Sequence, residues 1–161
     1  MKISSIIPTL LAFFLILTSC DPDPPGEFVY YDTGSGAIGA NGGEVYIIDS
    51  TSTIKDANLH INAGVLTAAS TFSIVQAPSS IAISGHPYAI IVDIQPSTIS
   101  FATDVVIGLS YRHLGSVDLN SIQIFRYIPS SGELIPLDRP NPDDTKKVLY
   151  GSTTKLGYFV I

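Results

Sequence analysis

The chain has no tryptophan and only one cysteine, Cys20. A single thiol excludes a disulfide within the chain, so any domain here must be held by core packing alone. The missing tryptophan removes the largest stacking surface for a sugar ring, a role that the eight tyrosines could still fill. Basic residues are scarce as well: 8 Lys and Arg face 14 Asp and Glu, a formal net charge of −6. That balance argues against nucleic acid and against a basic membrane-binding face; for the acidity itself, solubility is a sufficient reason. Beyond residue 20 no stretch shows helical periodicity, and there is no internal repeat. G-x-S-x-G, H-E-x-x-H and paired catalytic carboxylates are all missing. His60, His86 and His113 stand roughly 26 residues apart, without the paired spacing of a zinc site. No catalytic residue and no cofactor is implied.

The N-terminus is the most informative segment. Lys2 precedes an apolar run from Ile3 to Leu17, interrupted by Ser4, Ser5, Pro8 and Thr9. A spanning helix needs about 20 apolar residues. This shorter run, after one positive charge and before small residues, has the order of a secretory signal peptide. It ends Leu17-Thr18-Ser19-Cys20, which resembles the lipobox of bacterial lipoproteins. The resemblance implies cleavage between Ser19 and Cys20, lipidation of Cys20 through a thioether, and acylation of the new N-terminus. Each buried methylene adds about 0.8 kcal/mol, so several acyl chains anchor a protein stably. Acylation would also dispose of the lone thiol of an exported chain. Without Lys2, 7 basic side chains remain against 14 acidic ones. Asp21 and Asp23 follow the cysteine. An aspartate there resembles the inner-membrane retention signal of enteric bacteria, and the acidic pair resembles a surface-export signal of Bacteroidota. A composition low in charge and rich in Ile, Ser and Thr favours the second. Outer membrane or cell surface is therefore the expected location, with a periplasm-facing domain left open.

The organisation read from the sequence is a signal peptide over 1–19, an acylated Cys20 with a Pro- and Asp-rich linker over 20–35, and one domain over 36–161. Asp21 to Glu27 contains three prolines, which favour an extended, stiff spacer. Phe28 to Tyr31 reads as a short strand, and Gly34 to Gly43, with five glycines, as a loop or turn. Glu44 to Ile48 is strand-like. Ala57 to Asn62 alternates Leu59 and Ile61 against Asn58 and His60, the pattern of a half-buried strand. Thr71 to Val75 and the apolar run Tyr88 to Ile94 follow. Val105, Ile107, Leu109 and Tyr111 share one face. Ser121 to Ile128 alternates again, and Pro129-Ser130-Ser131-Gly132 predicts a hairpin turn into Leu134 to Leu137. Val148 to Tyr150 and Tyr158 to Ile161 complete the set. Short strands rich in β-branched residues, with a turn every ten or so positions, predict an all-β antiparallel sandwich of Ig-like type.

The order of several motifs adds to this. Gly42-Gly43-Glu44-Val45 is followed by Leu59-His60-Ile61-Asn62-Ala63-Gly64-Val65-Leu66. Phe101 to Tyr111 comes next, then Ile124-Phe125-Arg126-Tyr127 with Gly132-Glu133-Leu134. This series resembles the ZU-type β-sandwich of ankyrins, netrin receptors and the death-domain protein PIDD, which has relatives on bacterial surfaces. The likeness covers about residues 36–161. Asn62 and Asp104 stand where that family has proline, and Leu134 near its tryptophan. Some members cut their own backbone at a terminal His-Phe-Ser, a step that needs a nucleophile beside a base. Here Lys155 occupies the histidine position and Gly157 the serine position, so the resemblance implies that self-cleavage is lost.

Two further motifs carry weaker chemistry. Gly34-Ser35-Gly36-Ala37-Ile38-Gly39 matches G-x-G-x-x-G, but the Ala40-Asn41-Gly42-Gly43 that follows cannot start the helix that this motif requires; a flexible approach to the domain is the plain reading. Asp138, Asn141, Asp143 and Asp144 share one loop and are hard oxygen ligands of the calcium type. Their spacing is not that of an EF-hand, and Arg139, Lys146 and Lys147 offset their charge, so a solvated turn is expected; Asp138, Asp143 and Asp144 are the residues to inspect. The functional expectation is a non-catalytic, lipid-anchored envelope domain that contacts a protein or glycan through end loops or a strand edge. The partners expected are the membrane, through the anchor, and an envelope protein or glycan, not nucleic acid. Two alternatives stand beside it: a small hydrolase using His113 or His86 with a serine and an aspartate, and a structural lipoprotein bound to one resident membrane protein.

Overall fold

The computed structural model describes residues 28–31, 33–86, 89–138 and 142–161. Residues 1–27 lie outside the described residues, and with them Ser19, Cys20, the expected signal peptide and most of the expected linker. The described part is a β-sandwich of two sheets. One sheet has the order β1-β3-β4-β7-β10 and the other β2-β5-β6-β11-β8-β9. The strands are β1 (Val29–Tyr31), β2 (Ser35–Ile38), β3 (Gly43–Tyr46), β4 (Asn58–Ile61), β5 (Ser70–Gln76) and β6 (Val92–Gln95). They continue with β7 (Ser100–Ser110), β8 (Phe125–Ile128), β9 (Glu133–Pro136), β10 (Val148–Lys155) and β11 (Gly157–Val160). A single 3-10 turn, Arg112–Leu114, is the one helical piece among the described residues.

The core lies between the sheets and comes from the alternation that the sequence displays. Val105, Ile107, Leu109 and Tyr111 of β7 and its end are all buried, facing Phe72, Ile74, Ile94 and Phe159 of the second sheet. Each such side chain contributes about 1.5–3 kcal/mol by leaving water. The hairpin expected at 129–132 joins β8 to β9, with Gly132 N–H donating to Ile128 O at 2.8 Å.

Several boundaries differ from the sequence reading, each for a tertiary reason. Gly34 to Gly43 is not all loop: Ser35–Ile38 pairs with β5, burying Ile38 completely, and the turn is confined to Gly39–Gly42. β1 already belongs to the first sheet, upstream of the boundary expected at residue 36, and it runs parallel to β3. The rest of the named strand pairs are antiparallel. Of the apolar run expected over Tyr88 to Ile94, the described residues 89–91 are not strand and β6 starts at Val92; Pro87 and Tyr88 lie outside the described residues. β10 runs on to Lys155 because β7 offers a partner along its length. From there Leu156 alone carries the chain from one sheet to the other, with Gly157 at φ 132.

The two sheets differ in cover. The described parts of the β5–β6 connection, residues 77–86 and 89–91, fold back over the outer face of the second sheet. There Ile83, Ile91, Tyr127 and Val160 form a second small core, and Tyr127 Oη donates to Ala82 O at 2.9 Å. Among the described residues no named element packs over the outer face of the first sheet.

Candidate functional site

That open face is built by register. Tyr46 of β3 stands opposite Asn58 of β4, Asn58 opposite Gly108 of β7, and Gly108 opposite Tyr150 of β10. Two tyrosines thus flank an asparagine and a glycine across four strands, about 14 Å apart at a strand spacing near 4.8 Å. The neighbouring row holds Glu44, His60, Val106 and Ser152, with Tyr30 of β1 beside Glu44. Tyr30 is 56% exposed, and its ring lies 6.2 Å from that of Tyr46 at 31°. Phe28, 45% exposed, lies 5.4 Å from the His60 ring. His60 in turn faces Asn62 Oδ1 at 3.1 Å and Glu44 Oε2 at 3.9 Å.

Asn58 does not point to solvent as its alternation suggested; it is 1% exposed. Gly108 has no side chain to lift it off the sheet. The Asn58 amide Nδ2 donates to Asp56 O at 3.1 Å, and the same amide lies against the Tyr150 hydroxyl oxygen as a donor.

At one end of this face three segments far apart in sequence converge. Asp56 closes the β3–β4 connection in a left-handed conformation, φ 69, which aspartate tolerates better than most side chains. Its buried carboxylate accepts from Tyr46 Oη at 2.9 Å. Its second oxygen sits 2.8 Å from Arg112 Nη2, an ionic contact without hydrogen-bond alignment. Arg112 also donates to Lys146 O at 2.6 Å. Next to it Tyr111 Oη donates to Asp144 Oδ1 at 3.0 Å, and Lys147 Nζ donates to the same oxygen at 2.6 Å. Those donors hold the Asp144 carboxyl below the usual carboxylate range. Burial and the Asp56 carboxylate push the Tyr46 phenol far above its ordinary value. Tyr111 and Tyr150 are raised too, both chiefly by burial.

These raised phenols set a pH dependence. The native state keeps protons that an unfolded tyrosine loses near pH 10. Their stabilisation is therefore fully present below about pH 10 and is lost progressively as pH rises from there through the raised native values. Urea melts between pH 9 and 11.5 should show the midpoint falling, with a shallower fall in Tyr46→Phe. An unchanged slope in that variant would exclude Tyr46 as a source.

No protein-family model matches the chain, and no curated protein does. The site therefore stands on its own geometry. Of the acidic residues singled out in the sequence, Asp143 accepts from Lys146 N at 2.9 Å and Asp144 is occupied as described. Asp138 sits apart, where its carbonyl accepts from Ser152 N at 2.8 Å; Asn141 lies outside the described residues. Among the described residues no three His, Cys, Asp or Glu side chains converge as a metal ion requires. His113 is partly desolvated, which lowers its pKa, and its ring bonds the Ser110 backbone, while the Ser110 hydroxyl accepts from Arg112 N. His86 is exposed at the edge of the loop over the second sheet. Among the described residues no helix is long and apolar enough to cross a membrane.

Tyr30, Tyr46, Tyr150, Asp56 and Arg112 were not singled out in the sequence. The one signal was the tyrosine count; their meeting depends on pairings that composition does not contain.

Proposed function

We propose that this chain is a bacterial lipoprotein, anchored by acyl groups on Cys20, whose non-catalytic β-sandwich binds an envelope or external partner through the open face of the first sheet. The observation that carries this reading is the face itself. Tyr30, Tyr46 and Tyr150 are spread over one sheet face together with Glu44, His60, Val106 and Arg112, which is paired to the buried Asp56. Tyrosine is a stiff amphipathic contact: its ring covers apolar C–H surface and its hydroxyl bonds. Among the two partner classes expected, protein and glycan, this mixture of ring faces with acids and amides favours a glycan. Burial of Asn58 beside Gly108 leaves no side chain standing between Tyr46 and Tyr150, which suits a chain of sugars laid across them. The lipobox Leu17-Thr18-Ser19-Cys20 supports the anchor, and Asp21 and Asp23 support display on the outside. The order of glycine and aliphatic motifs supports a ZU-type membership for the domain, without self-cleavage at Lys155 and Gly157.

The test combines display with binding. Intact cells carrying the tagged chain are treated with protease, with Cys20→Ala as control. Digestion of the wild type on whole cells, together with loss of the control from the membrane fraction, is the expected result. Affinity electrophoresis through gels of neutral and acidic polysaccharides then compares wild type with Tyr30→Ala, a change at an exposed ring. Retardation that Tyr30→Ala reduces several-fold supports the tyrosine face. Protection until the outer membrane is opened would overturn surface display and put a periplasmic structural role in its place.

A further inference from the structure

A second site lies on the opposite logic, inside the edge of the sandwich. Arg126 of β8 stands opposite Phe159 of β11, which is fully buried in the core, and opposite Ile135 of β9. Same-row residues share a face, so Arg126 is on the side of its sheet that looks toward the other sheet. The row runs from core to rim as Phe159, Arg126, Ile135. Across from it, β10 presents the inward-facing Gly151 and Thr153. The space between these edges is a cleft of about 340 Å³. Arg126 and Lys155 line it together with Asp104, Asp138, Ser152 and Thr154.

Among the described residues neither cation forms an ion pair within 4 Å: the pairs there are His60–Glu44, Arg112–Asp56, Lys146–Asp143 and Lys147–Asp144. The cleft is held open by structure rather than by chance side-chain positions. The Asp138–Ser152 bridge ties the two sheets at one end. The irregular register between Thr153 and Lys155 turns β10 beside the cleft, and Thr153 Oγ1 is bonded to Lys155 O at 2.9 Å. Thr153 is engaged there and Ser152 belongs to the outer-face row, so Thr154, exposed at the cleft rim, is the hydroxyl left to meet a ligand.

We propose that this cleft binds a singly charged, hydroxylated carboxylate of monosaccharide size, an acidic sugar. Arginine offers a planar fork that matches a carboxylate, and Lys155 adds a second positive charge. Asp104 and Asp138 offset those charges, which disfavours a phosphate dianion relative to a singly charged carboxylate. The same two acids and the Thr154 hydroxyl suit sugar O–H groups, and Ile135 supplies a patch for ring C–H. The site does not depend on the tyrosine face.

The experiment is an NMR titration of the full-length protein in detergent with glucuronate, with glucose, acetate and inorganic phosphate as comparison probes. Saturable shifts at Arg126 and at Ser152–Lys155 with glucuronate are expected, with glucose at least about tenfold weaker. Arg126→Gln should remove the shifts and Arg126→Lys should keep part of them, while both keep the wild-type amide dispersion. If Arg126→Gln fails to fold, Lys155→Gln, at an exposed position, is expected to weaken glucuronate several-fold. Tyr30→Ala should leave the titration unchanged, which separates failure here from failure of the tyrosine face. No saturable shift, equal response to acetate or phosphate, or binding indifferent to both Arg126→Gln and Lys155→Gln would overturn the assignment and leave Arg126 as a charge that discourages pairing at a sheet edge.

Discussion

Gly42→Ala should destabilise the domain by at least about 3 kcal/mol, a large part of the roughly 5–15 kcal/mol that holds a domain of this size. Two causes add. Gly42 has φ 77, where an L side chain is strained. A Cβ would also stand 2.5 Å from Ile61 O and 2.7 Å from Ala63 N. Those are backbone atoms at the end of β4 and cannot swing aside, so β3 and β4 would have to separate. Gly64→Ala is the control: its φ is 81 but nothing lies within 4 Å of the added carbon, so only the conformational cost, about 1 kcal/mol, should appear. Urea denaturation of both variants measures the difference. Similar midpoints for the two would mean that the close approach of Gly42 to β4 does not exist. The same turn delivers the chain from β2 in one sheet to β3 in the other, so its loss would also disorder the face that carries Tyr46.

Gly108→Ala should cost about 2–3 kcal/mol for a different reason. Here the backbone is ordinary, and the obstacle is Asn58, whose Nδ2 would lie 2.4 Å from the new carbon. To make room, Asn58 must turn and give up its bond to Asp56 O. A buried amide left without partners costs about 1–3 kcal/mol. The double variant Gly108→Ala with Asn58→Ala should therefore be more stable than the two single losses predict, with a coupling of about 1 kcal/mol or more. Additive losses in that cycle would show that Gly108 is not needed to seat Asn58. A binding readout goes with it: tilting Asn58 should displace Tyr150, and polysaccharide retardation should weaken in Gly108→Ala more than global stability explains.

Both predictions rest on glycines whose meaning the sequence displays unequally. Gly42-Gly43 stands out as a double glycine before a strand, and the structure gives the reason in the turn and in the contact with β4. Gly108 sits unmarked in the strand-like run Val105 to Tyr111. Nothing local says that an asparagine some fifty residues earlier lies across it.

What the sequence determined by itself was the class of structure and the faces of its strands. Period-two alternation is a property of consecutive residues, so Leu59 with Ile61, and Val105 with Ile107, Leu109 and Tyr111, could be assigned to the core without knowing what they pack on. Turn chemistry is equally local, which is why Pro129 to Gly132 was legible. Only the tertiary structure decided which strands became neighbours, because pairing is settled by side chains that meet across long stretches of chain. That choice made β1 parallel to β3, turned the glycine-rich segment from 35 to 38 into a strand, and folded 77–86 and 89–91 over one sheet while leaving the other open. It also made Asn58 a buried residue and set Arg126 on the core side of its sheet. Both polar residues occupy places that alternation alone would assign wrongly or not at all, because their burial depends on Gly108 of a strand distant in sequence in one case and on the gap between two sheet edges in the other.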